Sequence, residues 1–290
     1  MKQALGCHTK VSTPGELIVR SFGFLGHVWT YGKELGLMVG MRWFCTRILR
    51  RLSGSRIRQI VLKPPDLLYP VIVGMDPVSD EYVFDQIFVR HEYAPVSDRL
   101  KDQRLILDLG ANVGYASAFV ACRYPEARII AVEPDPRNFE LCCLNLKPYG
   151  DRIKVLKGAV WSRCSKLALS HKLGEGMATQ VVTAERESDA EVMAWDISTL
   201  LDIAQAEVAD LVKIDIEGSE AELFAVDAGR WLPRVRNICI ELHDQRCRDI
   251  FFEALAGFDY ELVEMGESTM CLNLRARVSE CASLSARQEI

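Results

Sequence analysis

The chain has 290 residues, of which 49% are hydrophobic, enough for a real core, so disorder throughout is excluded. Its formal net charge of -5 argues against a general nucleic-acid binder, which carries a strong basic excess. Its cysteines (Cys7, Cys45, Cys122, Cys142, Cys143, Cys164, Cys239, Cys247, Cys271 and Cys281) form no CxxC pair and fall mostly in apolar segments, so they read as reduced core thiols.

Met1–Gly6 contains no apolar run followed by a small-residue cleavage site, so export by a signal peptide is not expected and the cytoplasm is the expected compartment. The uncharged stretch from Ser21 to Gly32 is far short of the ~20 residues of a spanning helix. From Glu16 to Leu52 the spacing predicts a helical arm with Leu37, Met41, Phe44, Ile48 and Leu52 on one stripe. Arg42, Arg47, Arg50, Arg51, Arg56, Arg58 and Lys63 follow with no acid between them. The plain expectation is that the stripe packs on the core and the arginines are solvated. The second reading is peripheral contact of residues 37–63 with a membrane or another anionic partner.

Tyr69–Gly74 reads as a short strand, and Val78–Tyr93 as a helix that Ser79 or Asp80 caps. From Arg104 strands and helices alternate: strand 104–109, helix 113–124, strand 128–133, a helix capped by Asp135 with Pro136 at its first position, and strand 152–160. A hairpin-like insert over Lys166–Val182 and a strand at 191–195 interrupt the pattern. Buried strands at Asp210–Gly218 and Asn237–His243 resume it. The tail after Arg275 is polar, without periodicity, and is expected to fray. The organisation is an arm with a short strand over 1–78, a doubly wound α/β domain over 79–275 and a tail over 276–290.

Leu105-Ile-Leu-Asp-Leu-Gly-Ala-Asn-Val-Gly-Tyr-Ala-Ser117 is a buried strand that breaks into a glycine-rich turn and then a helix, a geometry that aims free N–H groups at a ligand. The next strand, Arg128–Glu133, ends on an acid at the distance where a carboxylate holds a ribose diol. A dinucleotide fingerprint would need glycines where Asn112 and Tyr115 stand, which disfavours a nicotinamide oxidoreductase. Asp108 would repel a pyrophosphate but favour an ammonium. S-adenosylmethionine accounts for each residue type: its carboxylate on the N–H groups that open the helix at Val113, its ribose on Glu133.

Ligands in such sheets gather beyond the carboxyl ends of the strands, here the loops after Asp108, Glu133, Val160, Asp215 and Glu241. Asp215 and Glu217 lie two apart, as do Glu241 and His243, so each pair projects to one side and together they line a substrate pocket. His243, with its near-neutral intrinsic pKa, is the leading base. Asp215, Glu217 and His243 form instead a plausible ligand set for a divalent cation, and spacing alone does not choose between these roles. A purely structural role is open for Glu217, as a cap for the helix that follows. An amine-methylating enzyme is expected to carry an Asn- or Asp-Pro-Pro-aromatic stretch where this chain has Asp215-Ile-Glu-Gly218.

Over residues 79–245 the chain resembles the FkbM-type family of S-adenosylmethionine-dependent methyltransferases. The resemblance rests on Asp108-Leu-Gly-Ala-Asn-Val-Gly114, Glu133-Pro-Asp-Pro136, Gly158-Ala-Val-Trp-Ser162, Lys213-Ile-Asp-Ile-Glu-Gly218 and Ile240-Glu-Leu-His243. It implies a Rossmann-like class I methyltransferase sheet, mostly parallel with one antiparallel strand near the edge; the N-terminal helical extension before Arg58 lies outside the resemblance. It implies that Asp108, Gly110, Ala111, Asn112, Gly114, Glu133 and Pro134 hold the donor, with Ala159, Val160 and Trp161 beside the adenine and Glu92 and Tyr93 closing over it. The expected reaction is methyl transfer to a hydroxyl of a sugar, glycan or secondary metabolite facing Asp215, Glu217, Glu241 and His243. The alternative is a donor-binding module without turnover that docks through its basic arm.

Overall fold

The computed structural model describes residues 26–53, 57–75, 79–171, 179–182 and 191–277, and the chain divides into two compact units, Met1–Ile57 and Arg58–Ile290. In the first unit α1 covers 26–34 and α2 covers Leu37–Ser53. Gly36, at φ +78°, separates them, because left-handed backbone ends a helix. The arm is therefore two helices, and residues 16–25 of the predicted one lie outside the described residues. A Cβ at Gly40 would stand 2.3 Å from the Tyr31 carbonyl oxygen, so the two helices touch there through backbone. Tyr31, Leu35, Trp43 and Phe44 are buried, and the Arg47 guanidinium lies 5.8 Å from the Tyr31 ring and 5.4 Å from that of Trp43. The predicted stripe is covered only in part: Phe44 is buried and Ile48 half-buried, while Leu37, Met41 and Leu52 are exposed, because the turn at Gly36 lays α1 against the face that carries Trp43 and Phe44.

The second unit opens with an antiparallel ribbon, β1 (Gln59–Leu62) and β2 (Val71–Gly74), in which Ile60 and Leu62 alternate inward. Helices α3 (Ser79–Phe88) and α4 (Ala94–Arg99) follow, so the predicted helix to Tyr93 stops at Phe88, and Val78 lies outside the described residues. Asp80 is no exposed cap. It is buried and takes a two-pronged bond from Arg137, at 2.8 and 2.5 Å, which ties α3 to the helix after the second core strand.

The core then runs β3 (Leu105–Leu109), α5 (Tyr115–Arg123), β4 (Arg128–Glu133), α6 (Pro136–Leu146) and β5 (Ile153–Lys157). Asp135 caps α6 as expected, accepting from the amides of Arg137 and Asn138 with Pro136 in the first turn. The expected strand 152–160 is two strands. Gly158, at φ +157°, sits where a Cβ would meet Trp195 Nε1 at 2.3 Å, and the chain turns there from one sheet into another. Beyond it β6 (Ala159–Val160), β7 (Ser165–His171), β8 (Thr179–Val182) and β9 (Glu191–Trp195) form a separate sheet ordered β6-β9-β7-β8.

The chain continues through α7 (Ile197–Ile203), β10 (Leu211–Ile214), α8 (Glu220–Ala225), α9 (Ala228–Trp231), β11 (Ile238–Glu241), α10 (Gln245–Ala254), β12 (Phe258–Met265) and β13 (Ser268–Ala276). The main sheet is ordered β12-β13-β11-β10-β3-β4-β5, and β13 alone runs against its neighbours. This is the Rossmann-like methyltransferase sheet, with its reversed strand next to the edge. Periodicity does not mark β12 and β13; β13 ends at Ala276, and residues 278–290 of the tail expected to fray lie outside the described residues. Leu107, Leu109, Val132, Ile214, Ile240 and Phe251 form one core, each apolar side chain contributing about 1.5–3 kcal/mol on burial. Because β3, β4, β10 and β11 are parallel, their carboxyl ends open on one side of the sheet.

Candidate active site

Three residues of the loop after β3 have positive φ: Gly110 (79°), Asn112 (50°) and Gly114 (86°). A Cβ on Gly110 would lie 1.7 Å from the Asp215 carbonyl oxygen, so the loops after β3 and β10 are in backbone contact. Gly114 caps α5, whose helical turns begin at Tyr115 rather than Val113. The tight turn points the Asn112 amide at Glu133 Oε2 (2.8 Å), while the Asp135 amide reaches Oε1 (2.9 Å). Burial pushes the Glu133 carboxyl up to about 7, although both amide bonds oppose the shift. Asn112 Oδ1 is buried, and among the described residues none donates to it.

These groups face a cleft of about 570 Å³ that Gly110, Asn112, Glu133, Pro134, Ala159 and Val160 line together with Asn138, Asp215 and Glu217. Ala111 lines a neighbouring opening of about 400 Å³, with Gln86, Glu92, Tyr93, Lys213 and Glu241, and Gly110, Asn112 and Asp215 border both. Three of the expected donor residues line neither opening. Asp108 lies beneath the loop, accepting the Ser117 hydroxyl and 3.3 Å from Lys213 Nζ. Gly114 is pressed against Cys142 and Leu146. Trp161 packs on the small apolar cluster of the second sheet.

The predicted acid pairs do converge. His243 Nε2 lies 3.3 Å from Glu217 and 3.8 Å from both Asp215 and Glu241, while its Nδ1 is 3.0 Å from Glu220. Burial alone would lower the His243 pKa, but hydrogen bonds to Glu217 and Glu220 and the surrounding carboxylate charge outweigh it and push it up to about 11. A protonated imidazole accepts no proton, so these surroundings oppose the base role suggested by its intrinsic pKa. Burial, and then the charge of Asp215, push the Glu241 carboxyl up to about 7 despite His243. Burial likewise raises Asp215 and Glu92. Glu217 is held at φ +56° with its carboxylate on the imidazole, and it is Ser219 that occupies the cap position of α8. Asp215, Glu241 and His243 each offer an atom within 4.8 Å of the others, a set able to hold a divalent ion once the imidazole is neutral.

Two functional groups escaped the sequence reading. Lys213, buried in β10, donates to the Gly110 carbonyl oxygen at 2.6 Å and bridges Asp108 and Asp215. Glu220 is fully buried and accepts from the amides of Ile216 and Gly218 as well as facing His243. The signal for Glu220 was its place on the apolar face of α8 with Leu223 and Phe224.

Among known proteins, the profile of the methyltransferase FkbM domain matches residues 108–272, more than half of the chain. The chain belongs to the FkbM methyltransferase family. That family is one of S-adenosylmethionine-dependent methyltransferases. This FkbM methyltransferase is 26% identical over 212 residues to the AMB antimetabolite synthetase AmbE of Pseudomonas aeruginosa, covering 60% of the chain but 10% of the synthetase. It is 26% identical over 201 residues to methyltransferase sdnD of Sordaria araneosa, covering 58% of the chain and 76% of that protein. To the 2-O-methyltransferase NoeI of Sinorhizobium fredii it is 26% identical over 162 residues, covering 50% and 65%. The crystal structure of methyltransferase FkbM from Methylobacillus flagellatus aligns at a TM-score of 0.45 with 15% identity, over 69% of this chain and 55% of that one. Among the described residues no helix is long and apolar enough to cross a membrane.

Proposed function

We propose that this FkbM methyltransferase is an O-methyltransferase acting on a hydroxyl of a sugar, glycan or secondary metabolite. The observation that carries the proposal is Glu241, a carboxylate with a pKa near 7 in the opening that adjoins the larger cleft across Gly110, Asn112 and Asp215. A relative named as a 2-O-methyltransferase supports the same acceptor class.

The cleft suits the donor chemically. Glu133 offers a buried carboxylate to ribose hydroxyls, and among the described residues none donates to Asn112 Oδ1. Pro134, Ala159 and Val160, which line the cleft, would flank the adenine, and Asp215 would face the cationic end. S-adenosylmethionine supplies a sulfonium-activated methyl group. The protein's part is in-line placement of the acceptor and removal of its proton. As the oxygen–carbon bond forms and the carbon–sulfur bond breaks, the hydroxyl proton passes to Glu241. The protonated His243, 3.8 Å away, favours the ionised form of Glu241, which predominates above about pH 7.

A second reading gives Asp215, Glu241 and His243 to a divalent ion that polarises the hydroxyl. Chelation separates the two: turnover by the Glu241 route survives EDTA, whereas the metal route is lost and returns with Mg²⁺. The deciding experiment is titration with S-adenosylhomocysteine of wild type and Glu133→Ala, then turnover on hydroxylated glycans with Glu241→Gln. Full turnover by Glu241→Gln would remove its role as base.

A further inference from the structure

We propose that α2 is an interfacial anchor, lying in the plane of an anionic phospholipid bilayer. The inference is independent of donor and acceptor. The helix has 17 residues and four arginines, with no acidic side chain. At about 100° per residue, Leu37, Met38, Met41, Cys45 and Leu52 fall within a sector of about 100°. All five are exposed, Leu37 at 72%, Met38 at 86% and Leu52 at 80%. Arg42 and Arg51, both exposed, stand about 40° beyond either border of the sector on the same wheel. The opposite side is already in use, since Gly40, Trp43 and Thr46 are buried there, while Ile48 inside the sector is half-buried and Phe44, about 20° outside its Leu37 border, packs near Tyr31.

The charges identify what covers the apolar sector. Between Glu34 and Asp66 the sequence has no acid. Two copies of α2 packed sector to sector would crowd their flanking arginines together with no carboxylate on either helix to separate them. An anionic bilayer accommodates both features, because Leu and Met side chains enter the acyl boundary while guanidinium groups meet lipid phosphates. The helix is too short to span, which leaves it lying flat.

Flotation of the full chain with vesicles tests this, comparing phosphatidylcholine alone with an equimolar mixture of phosphatidylcholine and phosphatidylglycerol. The protein should float with the mixed vesicles at an affinity at least about tenfold higher than with the neutral ones, and high salt should release it. Met38→Asp with Leu52→Asp, and separately Arg42→Glu with Arg51→Glu, should each lower that affinity about tenfold or more while leaving the circular dichroism melting curve unchanged. All four positions are exposed, so the fold does not depend on them. The proposal is overturned if wild type floats with neither vesicle, or if both double variants float as well as wild type. It is also overturned if sedimentation equilibrium shows a dimer that Leu52→Asp dissociates while no vesicle binding occurs, for then a second copy covers the sector.

Discussion

Glu133 keeps a carboxyl in a place that resists its charge. With the folded value raised from 4.5 to about 7 by burial, protonation favours the folded state, so this residue's contribution to stability falls as pH rises from about 4.5 through about 7. Ribose hydroxyls donate to the charged form. Donor binding should therefore release a proton near neutrality, and affinity should rise with pH through about 7. Calorimetry in buffers of differing ionisation enthalpy reads this, and an unchanged apparent enthalpy would count against it. Glu133→Ala should weaken S-adenosylhomocysteine by about 1.5–3 kcal/mol. Glu241 makes a kinetic prediction of the same sign. Turnover should rise with pH through about 7, and Glu241→Gln should lower kcat by about two to four orders of magnitude and remove that limb. His243 shifts stability in the same direction as Glu133, over a higher pH window. Raised from 6.5 to about 11, its contribution to stability is complete below about 6.5 and is lost as pH rises through about 11. Which acids meet at the site was legible in the two-residue spacing of Asp215 with Glu217 and of Glu241 with His243. Which of them holds a proton was not, because the His243 field comes from four carboxylates on three segments, one of them the buried Glu220.

Between elements, backbone contact replaces side-chain chemistry. Gly110 lets the loops after β3 and β10 meet, so Gly110→Ala combines a positive φ with a Cβ inside the Asp215 carbonyl. It should cost about 2–5 kcal/mol, summing left-handed strain and overpacking, and thermal melting would show the loss. The Asp80–Arg137 pair ties α3 to α6, and α3 contributes Gln86 and Ile87 to the smaller opening. Arg137→Met strands a carboxylate that is 1% exposed. The cost should be about 2 kcal/mol, below that of a fully buried pair because the Arg137 side chain is 40% exposed. A melting temperature equal to wild type would show that α3 is held by its apolar face alone. The loop after β3 and the cap at Asp135 were readable because glycine spacing and capping chemistry are local. The break at Gly158 was not, since it is the distant Met193 and Trp195 that leave no room for a side chain there.

Over the whole molecule, local pattern and tertiary setting part company in two places. The α2 stripe was correctly seen as a stripe, yet periodicity does not say whether an apolar face is covered, and here much of it is exposed. The last two strands went unseen because β12 has a register shift between Asp259 and Glu261 that breaks its alternation, and a hairpin of mixed polarity resembles a polar tail. The two compact units predict that a chain starting at Arg58 binds S-adenosylhomocysteine as tightly as the full chain, which titration of both would check. The hairpin also sets a timetable. β11 carries Glu241, and its outer edge is closed by β13, with Ile240 opposite Thr269 and Glu241 opposite Ser268. Until β13 has paired along it, β11 leaves the sheet with a bare edge beside Glu241, and a partly folded chain is open there to pairing with a neighbouring one.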